Sequence, residues 1–120
     1  SRTYARLGEL AATLLGAGLH TVVDAAFLHR HERDAMRPIA AAAGGRLTLI
    51  ECDAPEAVLR ERVAHRTVDN RDASDADIAV LEHQLVAREP AADDEQPQRL
   101  ATDTDLGTLR QRALHALGIA

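Results

Sequence analysis

The chain contains no lysine. Its 14 basic residues are all arginines, and 19 acidic residues bring the formal net charge to −5. A phosphate-binding loop of the form G-x-x-x-x-G-K-[ST] needs its lysine to reach the phosphates, so the sequence holds no loop of that form. The acidic balance also disfavours a nucleic-acid partner, because proteins that bind nucleic acids usually present a basic face.

Aromatic residues are almost missing as well. Tyr4 and Phe27 are the only residues of the Phe, Trp and Tyr types. Proteins that bind single strands stack the bases on such rings, and we therefore expect no nucleic acid among the partners. Without aromatics the core must be assembled from Leu, Val, Ile and Ala, which bury little apolar area per residue, so we expect modest stability.

The chain also has only one cysteine and no long apolar run. Cys52 is alone, so no internal disulfide can form, and its place at the end of an apolar run is typical of a small buried side chain. No apolar stretch approaches the roughly 18 residues of a membrane span, and no signal-peptide pattern opens the chain. We expect a cytoplasmic protein with no membrane partner.

What is present is an alternation of helical and strand-like patterns. Apolar residues recur at helical spacing over 2–15, Gly16 and Gly18 end that helix, and a β-branched run follows at 19–25. Continued along the chain, these patterns give the order α-β-α-β-α-α-β-α, which predicts an α/β fold whose parallel sheet carries helices on both faces. Pro38 predicts a kink or a late start in the second helix. The predicted strands cover 19–25, 46–52 and 99–102, and the five predicted helices cover 2–15, 30–43, 55–66, 74–89 and 106–117.

Asp24 is the first residue with a candidate chemical role. It ends a predicted buried strand, and the carboxyl ends of parallel strands border the crevice in which α/β proteins bind ligands. One interpretation is an aspartate that only starts the next loop. The other is a carboxylate that orders a magnesium ion beside a phosphate. The sequence leaves both open.

Arg62 and Arg66 form the second candidate. They lie four residues apart, hence on one face of a predicted helix, directly before a polar loop. On one interpretation this face is solvated and its arginines pair with Glu56 and Glu61. On the other, the two guanidinium groups belong to a mobile lid and clamp the charge of a transferring phosphoryl group.

Taken in order, several segments resemble those of P-loop kinase domains. The resemblance is to the carboxyl-terminal two-thirds of such domains, in predicted kinases that are described as AAA-family ATPases and are related to gluconate kinase, zeta toxin and polynucleotide kinase. Order and spacing carry the likeness, and it spans nearly the whole chain. The segments are RTYARL at 2–7, VVDAAFL at 22–28 followed by Arg30 and Arg33, CDAP at 52–55, LRER at 59–62 followed by Arg66, ASDAD at 73–77, and the run 81–90.

The resemblance implies an ATP- and Mg²⁺-dependent phosphotransferase whose acceptor is a small molecule. It places Asp24 near the magnesium ion and the phosphates, and it places Arg62 and Arg66 in a lid over ATP that covers about 60–75. It also implies residues that bind the cofactor near its adenine and residues that face the acceptor. These are Thr102, Asp103 and Thr104 for the cofactor, and Tyr4, Arg30 and Arg33 for the acceptor.

The resemblance also shows what this sequence does not contain. The first strand of such kinases and the phosphate-binding loop with its lysine are not in it. We therefore expect one partial kinase-like domain over 1–120, taken from a longer protein and inactive by itself. Unpaired strand edges would favour a homo-oligomer, or pairing with the missing amino-terminal segment. The alternative is a non-catalytic α/β module that acts through assembly or partner binding.

Overall fold

The computed structural model describes residues 1–69 and 74–119, without the side chains of 67–69 and 74–76. This part of the chain forms six α-helices and two strands. It divides into two compact units, Ser1–Leu47 and Thr48–Ala120, of which the first is helical and the second contains the sheet. None of the described helices combines the length and the apolar content that a membrane span requires.

The first helix, α1 (Arg2–Gly16), agrees with the predicted range 2–15. It contacts the later helix α3 (Arg37–Ala42) of the same unit through Gly8, where a Cβ atom would lie 2.9 Å from Ile39 Cδ1. The missing side chain of Gly8 therefore permits the close approach of the two helices. The helix ends as predicted, because Gly18 takes a φ of +80° and its N–H donates to Leu15 O at 2.9 Å.

The run 19–25 does not form the predicted strand. Residues 20–25 have no strand conformation and exchange no backbone hydrogen bond with another described segment. The β-branched side chains favour extended backbone, but a strand also needs a neighbouring strand to pair its N–H and C=O groups. Asp24 therefore does not end a strand, and the structure corrects the prediction of three strands to two in the described part of the chain.

The predicted helix 30–43 is divided into α2 (Arg30–Asp34) and α3 (Arg37–Ala42). Pro38 lies in the first turn of α3, where its missing N–H costs no helical hydrogen bond. The late start that Pro38 predicted is thus confirmed. Gly44, with a φ of +69°, follows the end of α3 at the predicted place.

The sheet of the second unit has two parallel strands, β1 (Ile50–Asp53) and β2 (Gln98–Ala101). They correspond to the later part of the predicted strand 46–52 and to the predicted strand 99–102. Cys52 lies opposite Leu100 in the register. Its side chain is exposed rather than buried, because side chains stand on the faces of a sheet and this small two-stranded sheet leaves that position uncovered.

Two helices, α4 (Glu56–Asp69) and α5 (Ser74–Ala87), connect β1 to β2 and pack on each other. Pro55 precedes α4, and its carbonyl accepts from Val58 N at 2.9 Å. Asp53 Oδ1 accepts from Ala54 N at 2.9 Å, so it holds the turn before α4.

The last helix, α6 (Leu106–Ala116), follows β2 and contacts it. Asp105 is its N-cap: Oδ1 accepts from Thr108 N at 2.9 Å, and Oδ2 accepts from Thr108 Oγ1 at 2.6 Å. The side-chain bond first, and then the backbone bond, hold the pKa of the Asp105 carboxyl below its ordinary value, because both favour the charged form.

The buried apolar side chains are few and mostly small. In the described residues they are Ala11, Met36 and Ala40 in the first unit, and Val63, Ala91 and Leu100 in the second. This agrees with the expected Ala-rich core and modest apolar burial. Polar contacts between elements are therefore the features that place the candidate site.

Candidate functional site

Thr102 joins the carboxyl ends of the two strands. Its N–H donates to Asp53 O at 2.7 Å, which continues the ladder one residue beyond β2, and its hydroxyl donates to the same oxygen at 3.1 Å. Ligands of α/β proteins bind at this edge of the sheet. The residues around Thr102 are therefore the candidate site of the second unit.

Arg62 of α4 is held at this edge by Thr102. Its Nη1 donates to Thr102 Oγ1 and its Nη2 donates to Thr102 O, each at 2.8 Å. The structure thus brings together a residue that the sequence assigned to the lid and one that it assigned to the cofactor. Both acceptors are neutral, and Arg62 forms no ion pair with any described residue.

The other arginines of α4 are placed differently. Arg60 pairs with Glu56 at 2.8 Å and with Glu82 of α5 at 3.0 Å. The hydrogen bonds to Glu56 and then to Glu82 raise the pKa of its guanidinium. Arg66 is exposed and makes no hydrogen bond or ion pair with the described part of the chain. Among the described residues, neither Arg62 nor Arg66 pairs with Glu56 or Glu61, and Glu56 pairs with Arg60 instead.

The predicted lid over 60–75 corresponds to most of α4 and the first residues of α5. The ion pair between Arg60 and Glu82 links the two helices. Residues 70–73, which include Arg71, and the side chains of 67–69 and 74–76 lie outside the described residues. The far end of the lid therefore stays a prediction.

Asp103 and Thr104 form the bend between β2 and α6, directly after Thr102. Asp103 is exposed and Thr104 is half-buried. They lie after the last strand, where the sequence placed them, and their contact with a cofactor stays a prediction.

A further cluster surrounds Glu51 of β1, which the sequence analysis did not single out. The Glu51 carboxylate, 16% exposed, accepts from Ala91 N at 3.0 Å and pairs with Arg99 at 3.3 Å and Arg88 at 3.4 Å. Arg99 also donates to Ala91 O at 2.7 Å, and Arg88 lies 3.5 Å from Asp53. The cluster therefore fixes the segment after α5 to both strands. The signal in the sequence for this cluster was the single acidic residue, Glu51, inside the apolar run LTLIEC at 47–52.

Two predicted acceptor residues meet at Phe27 in the first unit. The Tyr4 hydroxyl accepts from Phe27 N at 3.0 Å, and Arg33 Nη1 donates to Phe27 O at 2.9 Å. The rings of Tyr4 and Phe27 lie 5.1 Å apart, and Phe27 has a φ of +44°. A phenylalanine in the left-handed region is strained and persists only where its surroundings hold it. Tyr4 and Arg33 therefore stabilise this turn, and their contact with an acceptor stays a prediction.

Arg30 and Asp24 are the remaining predicted site residues of the first unit. Arg30 pairs with Asp34 at 3.1 Å. Asp24 is exposed and makes no hydrogen bond or ion pair with a described residue. No three His, Cys, Asp or Glu side chains gather into a metal-binding group within the described ranges. A magnesium role for Asp24 thus depends on this one carboxylate and stays a prediction.

Replacing Arg33 with alanine is expected to lower the free energy of unfolding by about 2 kcal/mol, because a hydrogen bond from a charged donor is lost and the Phe27 carbonyl loses a partner. Arg33 is only 6% exposed, so water cannot readily replace it. Urea unfolding of Arg33→Ala measures the effect. Arg30→Ala is the control, since its ion pair with Asp34 is 42% exposed on both sides and should contribute little. Equal losses in the two variants would contradict this assignment.

A family model described as AAA domain matches residues 1–91. A search of curated proteins and a search of solved structures each found no match. The matched range contains β1 with Glu51, and α4 with Arg62 and Arg66, and it ends before β2. Because it covers 91 of the 120 residues, the chain belongs to the AAA domain family, a family of P-loop proteins that bind nucleotide with Mg²⁺.

Proposed function

We propose that this chain is the lid-bearing part of an ATP-dependent phosphotransferase that acts on a small-molecule acceptor. The observation that carries the proposal is Arg62, a guanidinium held at the carboxyl edge of the sheet by neutral oxygens. A guanidinium fork matches the oxygens of a phosphate in bidentate hydrogen bonds. A phosphate at this edge would supply the negative charge that Arg62 lacks among the described residues.

The proposal assigns a separate role to each candidate residue, first in the second unit and then in the first. Arg62 and Arg66, about one helical turn apart on α4, stabilise the charge of the transferring phosphoryl group. Residues 102–104 would border the adenine. In the first unit, the carboxylate of Asp24 would hold the magnesium ion. Bound ATP supplies the phosphoryl group, and the protein contributes positioning and electrostatic stabilisation rather than a covalent intermediate.

The residues proposed to face the acceptor belong to the first unit. Tyr4 and Arg33 hold the Phe27 turn, to which both are bonded. Arg30 would add a cationic group for an acceptor that carries hydroxyl or anionic groups. The acceptor class is therefore a polar small molecule.

MgATP is expected to bind this chain alone with a dissociation constant weaker than about 1 μM, because backbone N–H groups and the lysine of a phosphate loop supply most phosphate contacts. The sequence contains no lysine to take that part. Titration calorimetry with MgATP, and with AMP to report the adenine contacts separately, measures the affinities. A dissociation constant of about 1 μM or below for MgATP and the isolated chain would show that its site is already complete.

The phosphotransferase reaction itself is tested in a longer protein that joins a phosphate-binding loop to this chain. Transfer from γ-labelled ATP to a panel of sugars, nucleosides and polyols would identify the acceptor. Transfer that requires both Mg²⁺ and the loop lysine would support the proposal. A loop-containing protein that binds MgATP but transfers phosphate to no acceptor or water would contradict it.

A non-catalytic assembly module is the second candidate, and the sheet edges favour it. In the described part of the chain, β1 and β2 pair only with each other. The outer side of each strand therefore presents backbone N–H and C=O groups that no other described strand pairs with. Such edges can pair with another chain, as in a homo-oligomer or in a complex with an amino-terminal segment. Light scattering after size exclusion tests this: a monomer at every concentration would contradict a homo-oligomer. For either function we propose a cytoplasmic location.

A further inference from the structure

We propose that Thr102 is a positioning residue, which orients the Arg62 guanidinium so that one edge of its fork remains available to an oxyanion. The identity of that oxyanion, a nucleotide phosphate, rests on the proposed function. The positioning of Arg62 by Thr102 does not, and it can be tested on this chain as it is.

Three elements meet in one short series of hydrogen bonds. Arg62 Nη1 on α4 donates to Thr102 Oγ1 at 2.8 Å, and the same hydroxyl donates to Asp53 O at the end of β1 at 3.1 Å. The Thr102 hydroxyl thus acts as acceptor and donor at once, and hydrogen bonds in series strengthen one another. Valine has nearly the same shape but can do neither, whereas serine can do both.

Thr102 occupies only part of the guanidinium. Arginine has five N–H donors, and Thr102 takes one from Nη1 and one from Nη2. The other three, Nε–H among them, meet no acceptor in the described residues. A phosphate or carboxylate needs two adjacent donors for a bidentate contact. An oxyanion can therefore bind the Nε side of Arg62 while Thr102 keeps its two contacts, so Thr102 does not compete for the anion.

The charge environment separates Arg62 from the other ordered arginines of this unit. Arg60, Arg88 and Arg99 each pair with a carboxylate, and these pairs reduce their attraction for an added anion. Arg62 is instead held in place by a hydroxyl and a carbonyl, each at 2.8 Å. A group already ordered loses little conformational entropy when it binds a ligand. The geometry therefore favours Arg62 over its neighbours as the anion-binding position.

The test uses the ¹⁵N-labelled chain with inorganic phosphate as the probe. The Nε–H signal of Arg62, identified by its loss in Arg62→Lys, should be ordered without ligand and should shift with phosphate. Thr102→Val should remove that order and weaken phosphate binding by about three- to tenfold, in line with the loss of one ordinary hydrogen bond. Thr102→Ser should restore both properties, which a merely structural role of the threonine methyl group would not predict.

Three results would overturn the inference: phosphate binding by Thr102→Val at or above the wild-type affinity, no rescue by Thr102→Ser, or no phosphate shift at Arg62 in the wild-type chain. These results can be distinguished from a failure of the proposed function. If phosphate binds through Arg62 but a loop-containing protein transfers no phosphoryl group, the positioning role stands and the kinase proposal fails. If transfer occurs and Thr102→Val changes nothing at Arg62, the kinase proposal stands and the positioning role fails.

Discussion

Glu51→Ala is expected to lower the free energy of unfolding by about 2–3 kcal/mol, since it leaves a buried N–H without an acceptor and removes the carboxylate that two guanidinium groups share. The N–H belongs to Ala91, which is 4% exposed, and the cations are Arg88 and Arg99. A small domain has a total stability of about 5–15 kcal/mol, so the loss is a large share of it. Urea unfolding followed by circular dichroism measures the effect.

Two further variants separate the contributions at this position. Glu51→Gln retains an acceptor for Ala91 N–H and loses the charge, so it should fall between the wild type and Glu51→Ala. Glu9→Ala is the control, because its ion pair with Arg6 is 67% exposed on both sides and should contribute almost nothing. If Glu51→Ala costs no more than Glu9→Ala, the Glu51 cluster does not hold the segment after α5.

Arg66→Ala is expected to reduce the turnover of the loop-containing phosphotransferase by about a hundredfold, in line with the removal of one preorganised donor from a transition state. The KM for ATP should change far less. A lid guanidinium acts mainly on charge that develops during transfer, so its loss falls on the chemical step. Steady-state kinetics with the acceptor found for the intact protein measures both constants.

Arg60→Ala removes the same functional group from the same helix and serves as the matched control. Arg60 lies about 120° from Arg66 around the helix, at 100° per residue, and its guanidinium is already engaged by Glu56 and Glu82. Turnover of Arg60→Ala should therefore stay near that of the wild type. Equal losses in both variants, or full turnover in Arg66→Ala, would leave α4 as a solvated helix without a lid function.

Features that depend on neighbouring residues could be predicted from the sequence. The structure agrees with the predicted glycine closure of α1 and late start of α3 at Pro38, because the first follows from a dihedral preference and the second from a missing N–H. It also agrees with the predicted extent of α6. The resemblance to P-loop proteins is confirmed at the level of the family by the AAA domain match. Order and spacing of several short segments were sufficient for that.

The candidate site depended on residues that are far apart in the chain. Arg62 and Thr102 were each predicted as site residues, but 40 residues separate them. Their contact exists because the parallel pairing of β1 and β2 brings Thr102 to the edge from which α4 begins. The partners of Glu51 lie 37, 40 and 48 residues away at Arg88, Ala91 and Arg99, so no local pattern could assign them.

By itself, the sequence determined the helical character of the segments that became helices, the closure of α1 at its glycines and the start of α3 at Pro38, because those are decided within a few neighbouring residues. Only the tertiary structure decided which extended run became a strand, since a ladder needs a second segment: 46–52 contributed to β1 and 19–25 remained unpaired among the described residues. It also decided the partner of each cation. Arg60 and Arg62 are two residues apart on one helix, yet one faces the carboxylates of Glu56 and Glu82 and the other faces the neutral oxygens of Thr102. The difference arises from which element approaches each face of α4.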